Sequence, residues 1–180
     1  MIVTLIGVDP GIRDTAATAI SLEFHRRHFT VQSQLWSNVT LRQDRKIIVD
    51  KTFFPSLTDF VLQYKTPGNV AFMGVEGYRP RGVNGEQDQA MMHLVQAISD
   101  TCGAPIVDNT GIKKIVTEDT LQLFRCGKFK SGGFHSDRKS AARVALAHGY
   151  KIDTVNPLLA HFMMDNLLEG GEKWSFASLD

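Results

Sequence analysis

Three carboxylates, Asp9, Glu76 and Asp165, stand where they could act together on one substrate. Asp9 closes the apolar run Ile2-Val3-Thr4-Leu5-Ile6-Gly7-Val8 and is followed at once by Pro10-Gly11. Glu76 closes a second run, Val70-Ala71-Phe72-Met73-Gly74-Val75, and Gly77 follows it. Asp165 lies inside a late helical segment. A carboxylate at the exit of a buried strand is carried by a rigid element with its charge facing a cleft. Three that converge repel one another unless cations stand between them, which points to a divalent-metal site. Hard Mg²⁺ or Mn²⁺ suits carboxylate oxygens. Two such ions, about 3.5–4 Å apart, activate a water and stabilise the departing oxyanion in phosphodiester hydrolysis. Asp9, on a central strand, is the expected bridge between both ions, and Gly11 lets a phosphate approach the backbone closely. Each carboxylate also has an ordinary reading, as a turn, strand-end or helix-surface residue. Their order and spacing together favour the site. His161 lies four residues before Asp165 on the same helix face, a candidate metal ligand or general base as well as a plain packing residue.

The elements that must position these groups follow from periodicity. Residues 2–9, 15–20, 29–36 and 70–76 read as strands, with a short fifth at 104–107. The first three, closely connected, suggest an antiparallel meander. Residues 43–64 carry a helical pattern that Pro55 would kink or divide. Helices are expected over 86–101, 117–124 behind a Thr117 cap, 136–148 with Ser136 as cap and Gly149 as stop, and from Asn156-Pro157 to about residue 169. The tail 171–180 is expected to be loose. This is an α/β pattern with a five-stranded mixed sheet flanked by helices, in a single domain over 1–180. Pairing of the first and fourth strands would bring Asp9 and Glu76 together, and a C-terminal helix would add Asp165.

Composition narrows the setting. The apolar fraction of 43% and charged fraction of 22% are ordinary for a soluble globular chain. No apolar stretch reaches the roughly 20 residues that span a bilayer, and no signal peptide opens the chain, so a cytoplasmic protein without a membrane role is expected. Cys102 and Cys126 are read as reduced and structural. The net charge of +1 argues against a simple coat for nucleic acid. Its distribution says more. Between Lys113 and Arg143 eight basic residues face three acidic ones, an excess of five that leaves the remaining chain at minus four. Such a patch is either a solvated helix face or a phosphate-contacting surface, and the carboxylates favour the second.

These residues resemble the RuvC-type Holliday junction resolvases of the RNase H-like, retroviral-integrase superfamily. The resemblance rests on Gly7-Val8-Asp9-Pro10-Gly11 with Thr15, on Val75-Glu76-Gly77-Tyr78, on Lys113-Lys114-Ile115-Val116-Thr117, on Arg138-Lys139, and on Asp165-Asn166-Leu167-Leu168. It spans almost the whole chain in the right order. The chain departs from the family in having Phe162 three residues before Asp165, His161 four before and Asn166 after it. Tyr78 falls two residues after Glu76, where the family's aromatic wedge falls three after. The divergence resembles a phage or viral member more than a bacterial one.

The resemblance implies a homodimer that binds a four-way DNA junction and nicks two strands symmetrically, with two Mg²⁺ ions per site held by Asp9, Glu76 and Asp165. Lys113, Lys114, Lys128, Lys130, Arg138 and Lys139 would contact phosphates. Tyr78, Phe129 or Phe134 would stack on an unpaired base, unless, as is commoner for each taken singly, they are simply core. Met91, Met92 and Val95 on the helix at 86–101 would supply a dimer surface, unless that helix is simply core. Rival readings are a nuclease for flaps or RNA/DNA hybrids, a junction-binding protein without catalysis, and an actin-like nucleotide-binding module. The last lacks its second glycine-rich phosphate loop.

Overall fold

The computed structural model describes residues 1–80, 82, 85–127, 135–168, 171 and 173–178. Its strands are β1 (Ile2–Asp9), β2 (Asp14–Glu23), β3 (His28–Ser37), β4 (Thr40–Gln43), β5 (Lys46–Val49), β6 (Asn69–Glu76), β7 (Ile106–Val107) and β8 (Ser175–Ser178). Its helices are α1 (Phe53–Leu62), α2 (Gly85–Cys102), α3 (Ile112–Ile115), α4 (Glu118–Leu123), α5 (His135–Tyr150) and α6 (Asn156–Leu167). The mixed sheet runs β7-β6-β1-β2-β3-β8. β1, β2 and β3 form the expected antiparallel meander, while β6 joins β1 in parallel. Among the described residues no helix is long and apolar enough to cross a membrane.

Alternation along β1 explains why the sheet is central. Val3 and Leu5 feed one core with Ile20, Leu22, Phe124 and Phe162 under α5 and α6. Ile6 and Val8 feed the other with Leu57, Phe60, Leu94 and Ile98 under α1 and α2. A strand buried on both faces must be apolar throughout, which is why residues 2–8 read as a near-continuous run. Gly7 sets the approach of α5: a Cβ there would collide with the Ala141 carbonyl oxygen and the Ala145 amide. Alanine on the helix and glycine on the strand therefore lay α5 directly on β1. Thr18 on β2 fixes the same helix by donating to the Arg138 carbonyl oxygen at 2.9 Å.

Several sequence expectations are corrected. Residues 43–49, expected to open a helix, belong instead to the separate hairpin β4–β5. Its turn residues Asp44 and Arg45 both have positive φ, at 49° and 65°, the backbone that two-residue hairpin loops demand. Pro55 does not kink a long helix; it sits in the first turn of α1, where no intrahelical N–H is needed. Gly149 does not end α5 but lies within it, against Leu5 and Leu159. The tail adds a sixth strand, β8, parallel to β3, with Phe29 and Phe176 packed at 4.9 Å between ring centres. In α2, Val95 is buried and Met91 packs on the core, so of the three residues suggested for a dimer surface only Met92 is exposed.

Candidate active site

Register alone brings the first two carboxylates together. Gly7 pairs with Gly74 and Val8 with Val75 in parallel, so Asp9 and Glu76 leave neighbouring strand ends side by side. By the same alternation both point to the face that α5 covers. The turn after Asp9 is tied by Thr15, whose hydroxyl donates to the Gly11 carbonyl oxygen and accepts from the Gly11 amide, each at 3.3 Å. Glu76 is held beside β7, where Gly77 donates to the Val107 carbonyl oxygen at 2.8 Å.

The first turns of α5 complete the setting with two residues the sequence reading did not single out as site residues. Burial, the adjacent charge of Glu76 and a proton shared with it push the Asp9 carboxyl up to about 9. Asp137 adds repulsion, whereas the Ser140 hydroxyl donates to Asp9 and opposes the shift. Asp137 had entered only the charge count, and Ser140 no argument at all. The available signal was their helical spacing, one turn apart, just before Ala141, which touches Gly7.

The donor set suits an oxygen-preferring divalent cation. Among the described residues no three His, Cys, Asp or Glu side chains stand close enough to cage one ion. Mg²⁺ does not need such a cage, because it keeps several waters and is commonly held by one or two carboxylates plus substrate phosphate. Asp9 and Glu76 supply that pair, with Asp137 near it, and a cation would relieve the repulsion that now retains a proton on Asp9.

Asp165 is not part of this group, and neither is His161. Asp165 accepts from Trp174 Nε1 at 3.0 Å and pairs with Arg27 Nε at 3.6 Å and His161 Nε2 at 3.4 Å. Arg27 lies in the β2–β3 turn, beyond the pairing of Glu23 with Ile2. That is the start of β1, whereas Asp9 is its end, roughly 20 Å away at the rise of a strand. The helix that carries Asp165 packs through Phe162 against Phe29, Phe124 and Trp174, which fixes it at the far end of the sheet. Asp165 thus ties α6 to the β2–β3 turn and to the residue preceding β8.

The remaining candidates are scattered. Lys113 and Lys114 are exposed on α3. Lys139 and Arg143 both bind Glu118, the latter at 2.6 Å, and Arg143 Nε also donates to the Val116 carbonyl oxygen at 3.1 Å. These contacts hold the Glu118 carboxyl below its usual range, with the Lys139 hydrogen bond foremost. Arg138 is half-buried over β2. Tyr78 packs on the α1/α2 core and donates its hydroxyl to buried Asp88, so it is a held side chain, not a loose wedge. Lys128, Phe129, Lys130 and Phe134 lie outside the described residues.

No protein-family model matches the chain, and no curated protein matches it. Solved structures do. The Thermus thermophilus RuvC in complex with a Holliday junction substrate is similar over 84% of this chain and 95% of its own, at 14% identity and a TM-score of 0.50. A second Thermus thermophilus RuvC structure is similar over 86% and 98%, at 15% identity and a TM-score of 0.48. On the first of these, the chain has a RuvC-type, RNase H-like fold.

Proposed function

We propose that this chain is a metal-dependent endonuclease that resolves four-way DNA junctions by paired, symmetric nicks. The observation that carries the reading is the strand register, which sets Asp9 beside Glu76 under the first turns of α5. The likeness in fold to a protein solved with a Holliday junction supports the substrate class.

Asp9 and Glu76 would hold two Mg²⁺ or Mn²⁺ ions, with Asp137 as the third acidic group. When bound, such ions supply an activated hydroxide and offset charge on the leaving oxygen. Asp9 is kept in one orientation by the Ser140 hydroxyl, so its carboxylate need not reorganise during the reaction. Glycine at position 11 closes the turn after Asp9, since a Cβ there would collide with the Asp14 carbonyl oxygen. A two-fold homodimer would present one such site to each of two junction strands, matching the symmetry of the substrate.

The test compares Mg²⁺-dependent cleavage of a four-way junction with that of duplex, flap and RNA/DNA hybrid. Paired nicks confined to the junction are expected. Equal cutting of a flap or hybrid would replace the substrate while keeping the site.

A further inference from the structure

The hairpin β4–β5 takes no part in the main sheet, yet it is rooted beside the carboxylates. Thr40 Oγ1 donates to the Ile12 carbonyl oxygen at 2.6 Å, and buried Val39 donates its amide to the Arg13 carbonyl oxygen at 3.1 Å. Both acceptors belong to the loop that leaves Asp9. On its other side β5 leans on α2. Between hairpin, loop and helix lies a cavity of about 260 Å³, walled by Ile12, Leu41 and Ile47 and bearing Arg13, Arg42 and Gln87.

Its chemistry suits an anion with a short apolar attachment. Guanidinium groups present planar, paired donors that match phosphate oxygens. Lys139 and Arg143 are already engaged by Glu118. Among the described residues, by contrast, no ion pair engages Arg13 or Arg42. Of the acids on and just after the hairpin, Asp44 is at its tip, and Asp50 accepts from the Thr52 amide at 2.9 Å. Pockets for drug-sized ligands run to about 300–1,000 Å³, so this smaller space takes a phosphate and its sugar, not a whole extra ligand. Ile12 is three residues from Asp9, a reach of at most about 11 Å, which puts the cavity within a few nucleotides of the carboxylate pair.

We propose that this cleft holds a backbone phosphate of the DNA strand flanking the cleavage point, with Arg13 and Arg42 as its contacts. The proposal rests on the nuclease reading and adds a binding element, built from the hairpin, to it. Its test is the affinity of the full-length protein for a labelled four-way junction, titrated over a range of salt without divalent metal. Arg13→Ala with Arg42→Ala should weaken binding about tenfold, the scale of a lost charge-assisted contact. The same pair should reduce the salt slope by about one, the counterion count of one phosphate. Lysine at both positions should restore the slope. Arg26→Ala, an exposed arginine at the opposite end of the sheet, should change neither. Wild-type affinity and slope in the double alanine variant, or an equal loss in Arg26→Ala, would overturn the cleft while the nuclease reading stands. Absence of DNA binding by the wild-type protein would overturn both.

Discussion

Asp9 and Glu76 end adjacent parallel strands one register step beyond the Val8–Val75 pair, and their carboxyl groups share a proton. Two acids so placed are costly to ionise together. The unfolded chain ionises Asp9 near 3.8, whereas the folded chain holds its proton to about 9. The stability this group contributes is therefore complete below the lower value and is lost as pH rises through the upper one. In EDTA the wild-type melting temperature should fall by several degrees from acid to alkaline pH relative to Asp9→Asn, which lacks the titration. Mg²⁺ should restore it in the wild type and not in the variant, by stabilising only the folded state. Parallel pH–melting curves for the two proteins would refute this.

Asp137 and Asp165 should behave oppositely. Asp137→Asn, beside Asp9, should lower cleavage about 10–100-fold with little change in melting temperature. Asp165→Ala leaves Trp174 Nε1 without its acceptor and should cost about 1–3 kcal/mol of stability, read from urea unfolding, while the folded protein keeps its cleavage rate. A stable but inactive Asp165→Ala would return that residue to the site.

Gly7 is the hinge between sheet and site. Gly7→Val drives a side chain into the Ala141–Ala145 backbone of α5. Overpacking of this kind costs about 1–3 kcal/mol. It should also displace Asp137 and Ser140 from Asp9, so cleavage should fall further than the folded fraction does. Activity that merely tracks the folded fraction would show that α5 positions nothing.

What the sequence made legible were the long buried strands. An unbroken β-branched run could only be a strand covered on both faces, and the acids at two strand exits were visible for the same reason. The hairpin β4–β5 was hidden because Ile47 and Ile48 fall in step with Phe54 and Leu57, and because Asp44-Arg45 is a weak turn signal beside Asn-Gly. β8 is four residues long and largely exposed, so it has no pattern. That Asp137, and not Asp165, stands near Asp9 was hidden for a deeper reason. Chain order suggested Asp165, but which helix crosses the end of β1 depends on the fit of Gly7 to Ala141, a contact between small residues that hydrophobic periodicity does not encode. Tyr78 was offered as a stacking residue or as core; it packs on the core, and nothing local announces its partner Asp88 on α2.

The most direct measurement is cleavage of a labelled four-way junction by wild-type protein and Asp9→Asn, each with Mg²⁺ and with EDTA, alongside binding of the same junction. The wild type should give paired nicks only with Mg²⁺. Asp9→Asn should bind comparably and cut at least about a hundredfold more slowly. Cleavage that survives EDTA, or that Asp9→Asn leaves intact, would contradict a metal-dependent site built on the Asp9–Glu76 pair.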